Sequence, residues 1–399
     1  NTPAFDDGNS MTDFPASESD DPFAEIRPYS NLDAPEVLKR LSRDTELAET
    51  IAIWRLPRLS AKWPALARQM GKVWLRLAAR RLRTVEDLQN LIAPNLSRMI
   101  EKTSLFTVSG IDQLDLSSGR VYLSNHRDIA MDPAYANYAL HRAGANTLAI
   151  AIGDNLLSKP WVADLMRLNK SFVVKRNVSG PRALLAATKL LSQYIRDSVS
   201  TGRDPIWIAH REGRAKDGRD LTEPAVIKML TLSRERGEAP ESVLSELNIV
   251  PLVIAYEVDP CDVLKAAELA AGEGYVKAEF EDMSSIARGI TGNKGCVHLH
   301  FGEPLPADLS VEEVVAALDR QMAQHYRLYQ TNRWAWEWLH GESVPAALAF
   351  HEGSVTEQSF RARIESEPSK HRQWLLTMYA NPVSRQLALD VTNQDRSCD

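Results

Sequence analysis

Short apolar runs rich in β-branched residues alternate with longer segments of helical periodicity between residues 105 and 305. The apolar runs cover residues 120–123, 147–152, 171–175, 205–209, 249–256 and 297–301. The helical segments between them include residues 133–142, 181–198 and 224–236. Repeated alternation of strand and helix is typical of an α/β domain with a largely parallel sheet. We therefore predict such a central sheet, flanked by helices, over residues 105–306.

The segments on either side of this domain have helical patterns. Asp33 is followed by an early proline and an acidic residue, which is typical of a helix start. Residues 310–329 also begin with an acidic first turn. We predict an N-terminal helical region over 23–104 and a helical C-terminal extension over 307–399. Residues 1–22 hold six acidic and no basic residues, together with Gly, Ser and Pro, and we expect them to be disordered.

The bulk composition limits the possible partners and the compartment. The net charge of −6 argues against nucleic acid as a partner. The three cysteines are odd in number and widely spaced, which favours a reducing cytosol over a disulfide framework. The acidic N-terminus has no apolar core segment, and no apolar run reaches the roughly 20 residues of a membrane span. We therefore expect no signal peptide and only peripheral membrane contact.

Residues 54–83 contain nine basic residues and no acidic one, with Trp54, Trp63 and Trp74 among leucines. Tryptophan and cations together suit the headgroup region of an anionic membrane. The alternative is a solvated basic helix whose apolar side packs on the core. Pro57 and Pro64 divide the stretch into shorter helices. We favour membrane docking.

The segment 124–133 brings a histidine and two carboxylates to a predicted strand-to-helix loop. Histidine takes up and releases protons near neutral pH, so His126 is a candidate general base. Either Asp128 or Asp132 lies within reach to orient it. The alternative is a loop histidine, with Asp132 as a helix cap before Pro133. The tripeptide His-Arg-Asp also occurs in protein kinases, but the asparagine, Asp-Phe-Gly and glycine-rich loop of kinases are missing.

Two further clusters carry cations suited to a phosphate. Lys175 and Arg176 stand at the end of an apolar run. A second run leads into a loop with a carboxylate, glycines and cations, where backbone N–H groups can approach an anion. This loop contains Glu212, Gly213, Arg214 and Lys216. Taken alone, the first cluster is an ordinary solvated strand end and the second an ordinary surface loop.

Taken in order, these segments and Val250-Pro251 resemble the four sequence blocks of the glycerolipid acyltransferase superfamily. The blocks resemble Asn125-His126 to Asp132, Phe172 to Arg176, Glu212-Gly213-Arg214, and the strand with Pro251. The family includes bacterial glycerol-3-phosphate and lysophosphatidate acyltransferases. Five residues rather than four separate His126 from Asp132, so Asp128 stays an alternative partner, although we favour Asp132. The third block lacks the preceding Phe-Pro and looks closer to the glycerol-3-phosphate branch.

The resemblance implies O-acyl transfer with His126 as base and no acyl-enzyme. The donor would be acyl-CoA or acyl carrier protein, and the acceptor a hydroxyl of glycerol-3-phosphate or 1-acylglycerol-3-phosphate. Arg176, Arg214 and Lys175 would hold the phosphate, with Lys216 and Pro251 nearby. Glu212 would bind the glycerol hydroxyl or the arginines, and Gly213 the oxyanion. No cofactor or metal is implied, and the enzyme would lie in the cytoplasm, peripheral on the inner face of the cell membrane.

Three alternatives remain at this stage. The acceptor is another lyso-lipid, or the chain is a non-catalytic lipid-binding protein with the same fold, or it is a hydrolase. The hydrolase is disfavoured because Gly-x-Ser-x-Gly is absent and no cysteine lies in a nucleophile-like turn. Ser124 near His126 is interpreted as structural. His298 and His300 alternate on a predicted strand but have no apparent third ligand, which argues against a metal site.

Overall fold

The structure is a computed structural model that describes residues 21–278 and 281–396. Residues 1–20, most of the segment expected to be disordered, lie outside the described residues, and so does Cys398. In the part that is described, no helix is both long enough and apolar enough to cross a membrane.

One seven-stranded sheet forms the centre of the molecule. Its strands are β1 (Leu105–Ser109), β2 (Val121–Ser124), β3 (Ala149–Gly153), β4 (Ser171–Val174), β5 (Ile206–Ala209), β6 (Val250–Tyr256) and β7 (Cys296–Phe301). The spatial order is β1-β7-β6-β2-β5-β3-β4. Strands β6, β2, β5, β3 and β4 are mutually parallel. Strand β7 runs antiparallel to β6, and β1 is parallel to β7. This arrangement confirms the predicted α/β fold with a largely parallel sheet.

Helices flank the sheet and fill the two ends of the chain. Before the sheet lie α1 (Ala34–Leu41), α2 (Thr45–Arg55), α3 (Pro57–Lys62), α4 (Pro64–Arg81) and α5 (Val85–Thr103). Within it lie α6 (Met131–Arg142), α7 (Pro160–Leu168), α8 (Pro181–Ser200), α9 (Pro224–Leu230), α10 (Pro240–Glu246), α11 (Asp262–Ala271) and α12 (Glu281–Thr291). After it come α13 (Val311–His325), α14 (Gln330–His340), α15 (Glu357–Glu365) and α16 (Ser369–Arg396).

The central strand β2 is buried on both faces, which explains its continuous apolar sequence. Val121 and Leu123 point into one hydrophobic cluster, while Tyr122 points into the other. The first cluster also takes side chains from the C-terminal helices, including Leu318 of α13 and Val383 of α16. The C-terminal helices therefore share the core of the sheet.

Candidate active site

His126 lies on the loop between β2 and α6, in hydrogen-bond contact with Asp132. The distance from His126 Nδ1 to Asp132 Oδ2 is 2.9 Å, and the imidazole is 14% exposed. Helix α6 begins at Met131, two residues before the predicted start. Asp132 therefore lies inside the first turn and does not cap the helix.

The Asp132 carboxylate is buried and fully engaged. Its Oδ2 also accepts hydrogen bonds from the backbone N–H of Arg127 at 2.6 Å and of Asp128 at 2.9 Å. Its Oδ1 accepts from the Tyr256 hydroxyl at 2.7 Å. The additional residue between His126 and Asp132 is thus accommodated by a turn that wraps its amides around the carboxylate.

Asp128 has no hydrogen bond to His126 in the described structure and instead binds backbone N–H groups just before and at the start of α6. Its Oδ1 accepts hydrogen bonds from the N–H groups of Ala130 at 3.0 Å and Met131 at 2.8 Å. Its Oδ2 is buried and has no hydrogen-bond partner among the described residues. Burial, and then the neighbouring Asp132 carboxylate, raise the pKa of Asp128 to about 6.

Two buried polar side chains on either side of His126 fix the loop to the sheet. The Asn125 amide donates to Ile254 O at 2.9 Å and accepts from Ile254 N at 2.8 Å, which extends the pairing of β2 with β6. Arg127 donates through Nη2 and Nε to Asp220 Oδ2, at 2.6 and 3.0 Å. Asn125 and Arg127 therefore hold His126 in place from both sides.

The cluster with Lys175 and Arg176 meets the loop with Glu212 to Lys216 near the end of β4. The guanidinium of Arg176 lies 3.3 Å from the Glu212 carboxylate, and both side chains are partly exposed. Lys175 pairs with Glu25 of the N-terminal region, so its charge is compensated. The structure thus brings together the two sequence blocks that carry Arg176 and Glu212.

Arg214 differs from Lys216 of the same loop because it has no carboxylate partner among the described residues. Its Nη2 lies 3.5 Å from Ser285 Oγ, and its Nη1 is buried with no partner in the described part of the chain. Lys216, in contrast, is paired with Glu268. Arg214 is therefore the cation of this loop best placed to bind an anionic ligand.

A single open cleft of about 1760 Å³ connects these groups. The polar lining includes His126, Lys175, Arg176, Glu212, Gly213, Arg214 and Lys216. The apolar lining near the loop includes Ile129, Pro133, Ala134, Ile150, Ile152 and Trp207. The cleft therefore offers both polar and apolar surface beside His126.

Pro251 lies outside the cleft lining. It is buried in β6, where it pairs in register with Leu123, and its carbonyl accepts from Gly302 N at 2.8 Å. Its place is thus in the framework behind the site.

His298 and His300 hydrogen-bond to hydroxyls of β1, both to Ser109 Oγ at 2.8 Å. Across the residues with described positions, no group of three His, Cys, Asp or Glu side chains could hold a metal ion.

Sequence reasoning missed Tyr256 and Asp220, which support the two ends of the site. Tyr256 bonds to Asp132, which lies 124 residues earlier in the chain. Asp220 bonds to Arg127, 93 residues earlier. Neither pair has a local spacing that indicates contact. The only available signal was that Tyr256 ends the apolar run containing Pro251.

The comparisons with known proteins bear on the same region. A family model described as Acyltransferase matches residues 105–253. The crystal structure of the 1-acyl-sn-glycerophosphate (LPA) acyltransferase, PlsC, from Thermotoga maritima is similar with 14% sequence identity and a TM-score of 0.36, covering 70% of this chain and 95% of that chain. No curated protein sequence matches the chain.

Proposed function

We propose that this chain transfers a fatty acyl group from a thioester to a hydroxyl of a glycerophosphate acceptor, because residues 105–253 match the family model described as Acyltransferase. The acceptor is glycerol-3-phosphate or 1-acylglycerol-3-phosphate, and the donor is acyl-CoA or acyl carrier protein. The observation that carries the proposal is the His126–Asp132 pair in a cleft shared with Arg214.

His126 is proposed as the general base. Its Nδ1 is occupied by Asp132, and no described residue bonds its Nε2, so Nε2 is the nitrogen that takes a proton. The acceptor hydroxyl loses its proton to Nε2 while its oxygen attacks the thioester carbonyl carbon. The C–S bond then breaks, and the departing thiolate takes the proton from His126. Asp132 keeps the imidazole oriented and stabilises its charged form.

The tetrahedral intermediate carries a negative charge that needs nearby donors. Backbone N–H groups commonly provide them. Gly213 lines the cleft with a positive φ of 69°, a conformation open to glycine, and we propose its N–H as a contributor.

The acceptor phosphate is proposed to bind Arg214 and Arg176. Arg214 has a buried N–H group without a partner in the described structure, and satisfying it with a phosphate oxygen removes a desolvation cost. Arg176 is already close to Glu212, and this exposed pair is weak enough to open for a ligand. Lys175 and Lys216 are each paired with a glutamate, so their charges are compensated and they contribute less to phosphate binding than Arg214 and Arg176.

The membrane is the proposed source of lipid substrates, and α2 to α4 provide the docking surface. The exposed apolar residues of this α2–α4 surface are Ile53, Trp54, Trp63, Leu66, Met70, Val73 and Leu77. On α4 the other side of the helix is already packed, since Ala67, Gly71 and Leu75 are buried. The exposed apolar side is thus additional to the one that faces the core.

The charge of this surface suits an anionic bilayer. Nine basic residues lie between 54 and 83 without an acidic residue, and cations near a membrane gain about 1 kcal/mol each. Trp54 and Trp63 are each about two-thirds exposed, at 65% and 66%, as expected of interfacial anchors. We propose peripheral attachment to the cytoplasmic face of the cell membrane.

The test compares wild type with His126→Ala, using one long-chain acyl thioester on either CoA or carrier protein. Glycerol-3-phosphate and 1-acylglycerol-3-phosphate are offered in parallel. We expect His126→Ala to lower transfer by about 10²–10⁴-fold, because general-base assistance is lost, while vesicle binding is retained. His340→Ala removes an exposed histidine on α14 and serves as the control.

Each other outcome has a defined meaning. Transfer that persists in His126→Ala would contradict the mechanism. Transfer by wild type only to another lyso-lipid would identify a different acceptor. Vesicle binding by wild type without transfer to any acceptor would favour a non-catalytic lipid-binding protein.

A further inference from the structure

The loop that follows β5 has two ends with different surroundings. Its first part, with Glu212 to Arg214, lines the cleft. Its second part, residues 217–220, lies against α16. Gly218 has a φ of +79°, and a Cβ at this position would lie 2.1 Å from Met378 O of α16. Only a glycine allows this approach of loop and helix.

A proline in α16 removes the usual helical hydrogen bond to that carbonyl. Pro382 lies inside the helix and has no N–H to donate to the carbonyl four residues earlier, which is that of Met378. The loop backbone approaches α16 at this carbonyl, since a Cβ on Gly218 would overlap it. The position of the missing helical hydrogen bond therefore coincides with the contact to the loop.

Two side chains of α16 hold the same segment by its backbone. Asn381 Nδ2 donates to Asp217 O at 2.6 Å. Arg385 Nη1 donates to Asp220 O at 2.8 Å, and its Nη2 donates to Asp319 O of α13 at 2.9 Å. The loop is thus fixed to the C-terminal helices by donors that serve its carbonyls.

Asp220 passes this attachment on to the loop that carries His126. Its backbone has a φ of +48°, unusual for a residue with a side chain. Its Oδ2 accepts from Arg127 at 2.6 Å and from Asn125 at 3.2 Å, the two residues that flank His126. Asp220 therefore connects α16, the loop that follows β5 and the loop that carries His126.

We propose that Asn381 and Arg385 of α16 are positioning residues for acyl transfer, which hold Arg214 and, through Asp220, His126 in their working places. The inference rests on the proposed function and extends the active site beyond residues 105–253, the part that matches the acyltransferase model. Neither residue lines the cleft, so their effect on the reaction passes through the loop. Displacements of about 1 Å at such groups lower rates by as much as 10²-fold.

The test uses the full chain with Asn381→Ala, Arg385→Met and Arg385→Lys. We expect the first two to lower kcat/KM about tenfold each, as for the loss of one buried hydrogen bond, with KM for the acceptor rising more than kcat falls. Arg385→Lys keeps one donor and restores part of the loss. Gln373→Ala, at an exposed position of the same helix, is the matched control and is expected to match wild type.

Hydrogen–deuterium exchange provides a second readout that does not depend on activity. In Asn381→Ala and Arg385→Met, amides of residues 211–220 and 125–128 are expected to exchange faster, while those of β3 and β4 stay as in wild type. Faster exchange without a change in kinetics, or changed kinetics without faster exchange, overturns the proposal. If Arg385→Met folds poorly, Asn381→Ala alone decides the result.

The two readouts separate this inference from the proposed function. Wild type that transfers no acyl group to any acceptor would remove the proposed function, and exchange in the variants would then test the attachment itself. Wild-type transfer with unaltered variants would keep the function and remove the inference.

Discussion

At the scale of single residues, the environment of Asp132 explains why one carboxylate of two contacts His126. Two backbone N–H groups and the Tyr256 hydroxyl surround it, together with the imidazole. Hydrogen bonds to a charged group contribute roughly 1.5–3 kcal/mol each. The buried charge is therefore compensated, and its orientation is fixed before substrate binds.

Asp132→Asn should lower kcat far more than Asp128→Asn. The amide can no longer hold the imidazole in the tautomer that leaves Nε2 free, and the comparable change in serine proteases costs about 10⁴-fold. Steady-state rates with saturating acceptor provide the measurement. Equal losses in both variants would show that Asp128 also serves the base.

Asp128→Asn should change the pH dependence of stability. The pKa of Asp128 is raised to about 6 from 3.8, so between these values the folded protein binds more protons than the unfolded chain. The contribution of Asp128 to the free energy of unfolding is therefore fully present below about pH 4 and is lost as the pH rises through 6. Asparagine does not ionise, so the variant avoids this loss, which amounts to up to about 3 kcal/mol at pH 7.

Urea unfolding of wild type and Asp128→Asn at several pH values checks this prediction. The difference in the free energy of unfolding should grow in favour of the variant between about pH 4 and 6. A difference that stays constant with pH would place the pKa of Asp128 near its ordinary value.

At the scale of elements, α4 has apolar residues on two sides. Gly71 packs so closely on α2 that a Cβ would lie 2.2 Å from Ala48 O. Leu66, Met70, Val73 and Leu77 recur at intervals of three or four residues and are all about half exposed. A helix with one side packed and another apolar side exposed is suited to contact with a second apolar phase.

Leu66→Ser, Met70→Ser and Val73→Ser, combined, should weaken binding to anionic vesicles about 100-fold. Each side chain contributes roughly 1 kcal/mol when it enters the interface. Sedimentation with vesicles provides the measurement, and Leu32→Ser, an exposed leucine outside this surface, is the control. Unchanged binding of the triple variant would show that α4 faces water.

The same variant should keep transfer to acceptors offered as dispersed monomers. The α2–α4 surface holds none of the groups proposed for the chemistry, so its loss affects delivery of lipid substrates alone. Loss of transfer to dispersed acceptor would show instead that α4 supports the active site itself.

At the scale of the whole molecule, the apolar periodicity of the sequence is enough to predict the α/β fold, because the inner strands are continuous apolar runs between helices. All six predicted strands are present. Strand β1 was missed, since Leu105–Ser109 is only partly buried at the sheet edge and its pattern is weak. The predicted helix over 224–236 ends at Leu230 and continues as a short 3₁₀ turn.

The site could be predicted only as far as local spacing reaches. His126, Asp128 and Asp132 lie within seven positions, so the sequence showed the candidates but not the geometry that selects Asp132. The supporting contacts of Tyr256, Asp220 and Arg385 join residues 93 to 165 positions apart. Their pairing depends on the sheet order, which no local pattern encodes. The catalytic and phosphate-binding roles, and the domain boundaries, remain predictions.

The bond between Arg385 and Asp220 has a consequence for biosynthesis. Asp220, in the loop after β5, is synthesised 165 residues before Arg385, its partner on α16. At 5–20 residues per second this interval lasts roughly 8–30 s. The residues of all seven strands are synthesised before the end of this interval. A nascent chain therefore contains the residues of all seven strands before the residues of α16 that are proposed to position the site.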